Sequence, residues 1–243
     1  MEETNVFYRD PALYDAMQED SDSAEVCRAL IERHHPQATM LIDFGCGTGR
    51  DLEVLAKTYT CVGVDLQTRL VDYAHRVRPD LAVRVGDMRN VCLDRTADVL
   101  VCLGNSLAYV HDNSGIRAVF RTFARHAHTD TLLVICSPVA PIVREQPQTV
   151  RMRTAHGPAS VAIRYAWDLE TQINTMQRHW VFDSGDEAHD VIRRRVLGPR
   201  ELELHASLAG FEVVEFVDES GSGRLAGPGA YVVARHIGRS RAD

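Results

Sequence analysis

Lysine is nearly missing from this chain. Of its 27 basic side chains only Lys57 is a lysine, and no lysine comes directly after the glycine-rich segment at residues 45–49. That excludes a Walker-type phosphate loop, which needs Lys-Ser or Lys-Thr directly after its glycines. Positive charge is not in excess either: 27 basic residues face 34 acidic ones, for a net charge of −7. A nucleic-acid footprint is therefore not expected. No apolar run is long enough to span a bilayer. Met1-Glu2-Glu3-Thr4 opens no basic-then-apolar leader, so no signal peptide is expected and a cytoplasmic location is the default. The six cysteines (Cys27, Cys46, Cys61, Cys92, Cys102, Cys136) include no Cys-x-x-Cys pair, and most lie in or beside apolar runs. They read as buried free thiols, not as a disulfide framework or a zinc site. No His-rich or Asp-rich constellation stands out, so no metal site and no magnesium-assisted chemistry are expected.

What the chain does have is an α/β rhythm. Its 243 residues, 45% hydrophobic and 25% charged, suit one large soluble domain with elaborations. Met40 to Phe44 is an apolar run that stops at Gly45-Cys46-Gly47-Thr48-Gly49, and Leu52, Leu55 and Ala56 then mark a helix face. Further short apolar strands are expected at 61–64, 81–85, 97–103, 131–137, 211–217 and 230–234, with helical stripes such as Leu70, Tyr73, Ala74, Val77 and Ile116, Val119, Phe120, Phe123 between them. Asp22 and Glu25 have the spacing of a capping box for a helix before the first strand. The alternation predicts a doubly wound, seven-stranded, mostly parallel sheet covered on both faces. Residues 148–182 break it with period-two patterns, as in Val161, Ile163, Tyr165, Trp167, which indicate inserted antiparallel strands. Trp167, Trp180 and His179 there read as core or subunit contacts, and Arg193-Arg194-Arg195 as a solvated face. At the N-terminus Tyr8 and Tyr14 stand among acids, with Asp10 capping a short helix that begins at Pro11. This segment is either an exposed acidic arm or a lid.

The glycine turn sits where doubly wound folds bind nucleotides. A nicotinamide fingerprint needs Gly-x-Gly-x-x-Gly, whereas here the third glycine comes one place early and Arg50 holds the sixth position. Asp43 precedes the turn, where a carboxylate repels a pyrophosphate and welcomes a cationic amino-acid moiety. Asp65 ends the next strand, where a ribose-binding acid belongs. This combination suits S-adenosylmethionine. Asp43-Phe44-Gly45-Cys46-Gly47-Thr48-Gly49, Asp65, Asp87-Met88 and the Leu197–Leu202 to Ala209-Gly210-Phe211 tail resemble the class I S-adenosylmethionine-dependent methyltransferases, and the likeness extends over residues 8–235. Within them the chain is most similar to small bacterial enzymes that methylate antibiotic amino sugars and related secondary metabolites.

The resemblance implies a Rossmann-like methyltransferase domain at 1–147 and 183–243 with an N-terminal lid at 1–20, and inserted strands at 148–182 that cap the substrate or form a subunit interface of a homo-oligomer. It implies cofactor contacts from Tyr8, Tyr14, Asp43, Gly45, Cys46, Gly47, Thr48, Gly49, Asp65, Leu66, Asp87, Met88, Leu103, Gly104 and Asn105. The expected reaction is methyl transfer to a small-molecule acceptor, most naturally an amine nitrogen of an amino sugar, with S-adenosylhomocysteine as product. An amine must arrive neutral, and Tyr14, Tyr109 and His111 are the candidates to take its proton. O-methylation of a natural-product hydroxyl and a non-catalytic cofactor-binding scaffold are the alternatives. Neither a nucleic acid nor a membrane is an expected partner.

Overall fold

The computed structural model describes residues 5–17, 22–154, 156–221 and 223–238. Two sheets organise them. The larger is built from β1 (Met40–Phe44), β2 (Thr60–Asp65), β3 (Ala82–Val85), β4 (Ala97–Cys102), β5 (Ala127–Pro138), β10 (Phe211–Asp218) and β11 (Gly229–His236). Its order is β10-β11-β5-β4-β1-β2-β3, with β11 antiparallel to both of its neighbours. The seven-stranded, mostly parallel sheet expected from the alternating pattern is what forms.

Strand alternation places successive side chains on opposite faces. Ile42 and Phe44 pack with Phe120 and Phe123 of α6 (Asn113–Arg125) and Leu202 of α7 (Pro199–Leu208). Leu41, Val99 and Val101 pack on the other side against α3 (Ser23–His34), α4 (Arg50–Leu55) and α5 (Thr68–Val77). Most apolar helix stripes fall on these faces. Val77 is an exception at 46% exposed, and Val71 takes the buried place beside Leu70 and Ala74. Asp22 does not cap α3 with its side chain, and the Glu25 carboxylate pairs with Arg28. The cysteines are free thiols, four of them buried (Cys27, Cys46, Cys102, Cys136).

The second sheet has four antiparallel strands: β6 (Gln148–Thr154), β7 (Gly157–Asp168), β8 (Ile173–Phe182) and β9 (Glu187–Arg195). It therefore continues to Arg195 and is not confined to 148–182. The arginine run is not a solvated face. Arg193 is exposed, but Arg195 is buried and donates to His111 O, Gln172 Oε1 and Glu201 Oε1, tying β9 to the larger domain.

The N-terminal segment forms α1 (Val6–Arg9) and α2 (Pro11–Met17), while positions 1–4 and 18–20 of the expected lid lie outside the described residues. Asp10 does cap α2, accepting from Leu13 N at 3.0 Å. Both helices rest on one face of the small sheet, where Val6 and Leu13 pack with Val161, Trp180 and Phe182. Beneath them Arg178 and Asp190 form a buried bidentate pair at 2.8 and 2.5 Å. Asp190 also accepts from Val6 N at 3.1 Å. The small sheet is thus the foundation on which the two N-terminal helices stand.

Candidate active site

The glycine turn is shaped by contacts that tolerate no side chain. Gly45 and Cys46 N–H groups both donate to Val64 O, which pulls the turn across the end of β2. Gly45 has φ +94°, and a Cβ there would lie 2.5 Å from Ser106 Cβ. Only glycine meets both demands. Gly47 N donates to Asp65 Oδ2 at 2.8 Å, and Gln67 N donates to Asp65 Oδ1 at 2.8 Å. These two bonds leave acceptor capacity on each Asp65 oxygen for vicinal hydroxyls. Gly49 then opens α4 in a left-handed conformation.

Above the turn lies a cavity of about 350 Å³ including its open mouth. Its lining includes Tyr14, Asp43, Gly45, Cys46, Thr48, Leu103 and Gly104, all expected from the sequence, together with Arg50 and Asp51, which were not. Asp43 is 1% exposed, and its Oδ1 has no hydrogen-bond partner. Burial drives the Asp43 carboxyl well above the ordinary carboxylate range, and Asp51 and Asp65 push it the same way. Burial likewise raises Asp65 and Asp51, each partly offset by hydrogen-bond donors. A cation bound here would favour the ionised form of these acids, so the cavity suits a cationic ligand better than a phosphate-bearing one. An orphaned carboxylate oxygen beside a side-chain-free turn therefore fits the amino-acid end of S-adenosylmethionine, with Asp65 facing its ribose.

The N-terminal helices close this cavity. The Tyr14 ring lies against the turn, its Cε1 3.1 Å from where a Gly47 Cβ would stand. Asp15, one residue on, accepts from Thr48 Oγ1 at 2.6 Å, Arg78 Nη1 at 3.0 Å and Arg50 Nη1 at 3.4 Å. This clasp fastens α2 to the glycine turn and to α5, and nothing in local spacing announced it. Tyr8 stands 6.1 Å from Tyr109, centroid to centroid. Arg194 reaches over from β9, its guanidinium 5.6 Å from the Tyr109 ring. Its Nε is buried without a partner. Tyr8, Tyr14, Tyr109 and Arg194 thus form one cluster at the cavity edge. Burial, above all, raises both Tyr8 and Tyr14, so these phenols are neutral.

The remaining candidates are spread more widely. Met88 reaches the turn, its Cε 3.5 Å from a Gly45 Cβ position. Leu66 is 55% exposed beyond Asp65. Gly104 and Asn105 form a left-handed pair after β4. Asp87 is occupied by Arg89, which holds it with Nε and Nη2 contacts of 2.6–3.0 Å and lowers its carboxyl. An adenine amine would share Asp87 with that guanidinium. His111 is exposed and engaged structurally, its Nε2 3.0 Å from Arg193 O.

Comparison with known proteins agrees with this geometry. A methyltransferase-domain family profile matches residues 41–130. A dTDP-3-amino-3,6-dideoxy-alpha-D-glucopyranose N,N-dimethyltransferase of Streptomyces fradiae is 29% identical over 201 residues, 81% of this chain and 78% of that one. A dTDP-4-amino-2,3,4,6-tetradeoxy-D-glucose N,N-dimethyltransferase of Saccharopolyspora spinosa is 33% identical over 116 residues, 47% of this chain and 46% of that one. The S-adenosylmethionine-bound structure of an amino pentose methyltransferase from Micromonospora echinaspora superposes with a TM-score of 0.80 at 23% identity, covering 96% of this chain and 97% of that one. By its glycine turn, its fold and these relatives, the chain carries the class I S-adenosylmethionine-dependent methyltransferase fold and is related to the dTDP-amino-sugar N,N-dimethyltransferases of antibiotic biosynthesis.

Proposed function

We propose that the chain methylates the amine of a nucleotide-linked amino sugar, with S-adenosylmethionine as donor. The observation that carries the reading is the neutral-tyrosine and arginine cluster at the rim of an acid-walled cavity, in a chain whose S. fradiae relative acts on a dTDP-amino sugar. Bound S-adenosylmethionine supplies an electrophilic sulfonium methyl. The protein's part is to hold a neutral amine in line with it, about 3 Å away, and orientation of that kind supplies much of the acceleration. Asp43 would receive the cofactor's ammonium and Asp65 its ribose hydroxyls. Met88 would pack beside the adenine, with Leu66, Leu103, Gly104 and Asn105 around the remainder. Tyr8 and Tyr14, neutral phenols, orient the amine by hydrogen bonding and exclude water. Tyr109, braced by Arg194, stands where the departing proton must pass. His111 supports the loop by its bond to β9. The small sheet, by carrying α1 and α2, is the acceptor-side cap.

The test is incubation of the protein with S-adenosylmethionine and a panel of dTDP-amino sugars. S-adenosylhomocysteine release with a mass gain of one or two methyl groups on the sugar nitrogen supports the reading. Methylation confined to hydroxyl acceptors, or cofactor binding with no turnover on any acceptor, rejects it.

A further inference from the structure

The four-stranded sheet has a second face, turned away from α1 and α2, that the reaction does not use. His179 on β8 and His189 on β9 are direct cross-strand partners in register. They alternate with Arg178, Trp180 and Asp190, whose side chains enter the opposite, lid-bearing face, so both histidines point outward. Their rings stack at 4.1 Å between centroids with 8° between planes. Glu187, two residues along β9, brings Oε2 to 2.9 Å from His179 Nε2. Ala162 of β7 is the register partner of His179 on its other side. One donor atom from each of His179, Glu187 and His189 falls within 4.8 Å of the others.

We propose that these three side chains form a transition-metal site of the zinc class, separate from the methyl-transfer centre. The chemistry argues for it. Two imidazole nitrogens and a carboxylate oxygen are a donor set that zinc takes at about 2.0–2.2 Å, which puts tetrahedral donors roughly 3.3 Å apart. Small side-chain rotations from the present spacing reach that. Register-paired histidines on adjacent strands sit on a stiff frame, so little order remains to be imposed on binding. The carboxylate also offsets the charge of the incoming ion. Three protein donors leave the fourth position to water. The ion would bolt β8 to β9 directly above the Arg178–Asp190 pair, and so brace the platform under the lid.

The test uses the full-length protein, stripped of metal by a chelator and titrated with zinc chloride. Expected are one equivalent of zinc bound per chain and a melting temperature raised by about 5 °C at saturation. His189→Ala and His179→Ala abolish both effects, and Glu187→Gln weakens binding by more than the roughly 10- to 100-fold that losing an outer-shell partner costs. Cobalt provides a readout that does not depend on the variants. The intact protein should show tetrahedral d–d bands without the thiolate charge-transfer absorption that cysteine ligands add. Zinc retained equally by the two histidine variants, thiolate absorption with cobalt, or no stoichiometric uptake would each overturn the proposal. Methyltransferase turnover of metal-free His189→Ala should match that of metal-free native protein.

Discussion

Replacing Asp43 by asparagine should make the ligand-free protein more stable and the cofactor complex weaker. Asp43 is 1% exposed, and one carboxylate oxygen has no partner. A buried polar group left unsatisfied costs about 1–3 kcal/mol, and more when charged. Asparagine keeps the shape and removes the charge, so about 2 kcal/mol of that penalty is relieved. For a chain of this size, that raises the melting temperature by about 4–8 °C. The bound state moves the other way. A charge-assisted hydrogen bond to the cofactor ammonium is worth about 1.5–3 kcal/mol, so affinity for S-adenosylmethionine should fall roughly 10- to 150-fold. The pH dependence has a definite sign. Burial raises the Asp43 carboxyl above its unfolded value, so the folded protein holds that proton more tightly. The stability this confers is complete below about pH 3.9 and is lost as pH rises through the folded value. The variant's advantage should therefore be largest at neutral pH and narrow on acidification. Differential scanning fluorimetry across pH, paired with calorimetric titration of cofactor, measures both quantities. A variant that melts no higher than native protein and binds cofactor equally well would show that Asp43 is not a carboxylate awaiting a cation.

Four further outcomes follow from the same geometry. Asp190→Ala strips Arg178 of its buried partner and α1 of an acceptor, and should cost about 3–5 kcal/mol by urea denaturation. Gly45→Ala should abolish cofactor binding, because its Cβ meets Ser106 at 2.5 Å, whereas Gly104→Ala, with only Tyr14 Oη at 3.9 Å, should bind with a modest loss. Tyr14→Phe and Tyr109→Phe should each lower kcat by about 100-fold, the low end of general acid–base contributions, while His111→Ala stays within about 3-fold of native in the same assay. Asp98 accepts from Thr39, Met40 and His128; burial works against its ionisation, but these donors prevail and draw its carboxyl down to about 2. It therefore contributes about 2 kcal/mol above about pH 3.9 that is lost as pH falls through about 2, and Asp98→Ala should show a correspondingly shallower acid-unfolding curve.

The parts of this structure legible in the sequence are those coded by neighbours in the chain. Asp43, the glycines at 45, 47 and 49, and Asp65 announce themselves because a strand, a turn and a following strand fit within some 25 residues. The seven strands were readable because a sheet buried on both faces leaves continuous apolar runs. β9 was missed for the opposite reason. Its sequence, Glu-Ala-His-Asp-Val-Ile-Arg-Arg-Arg, buries Asp190 and Arg195, and those charges disguise its alternation. Arg194 went unseen with it, since its approach to Tyr109 depends on the register of β8 with β9. Asp15 and Asp51 were hidden similarly, each defined by partners from elsewhere in the chain: Arg78 for the first and Ser23 for the second. The Asp22–Glu25 spacing misled: the Asp22 side chain makes no cap, and Glu25 pairs with Arg28, a turn further along.

The charges around the cavity explain why the lid rests where it does. On the glycine-turn side stand Asp43, Asp51 and Asp65, all raised by burial. On the β9 side stands Arg194, its guanidinium over the Tyr109 ring. Tyr14 lies between them, touched by the fields of both: Asp51 and Asp65 raise its phenol and Arg194 opposes them. A cationic cofactor is favoured on one side of that ring, and an acceptor bearing negative charge on the other. A phenol that stayed neutral could face both without adding a charge that either ligand would have to overcome, which a carboxylate or a lysine at this position could not. The same residue belongs to α2, and α2 is held by Asp15 to the turn and by Leu13 to the small sheet. The two ligand environments are therefore separated by one neutral ring whose position is fixed from both sheets at once. That is how the inserted strands, remote from the glycine turn in sequence, help fix the position of Tyr14 at the cavity.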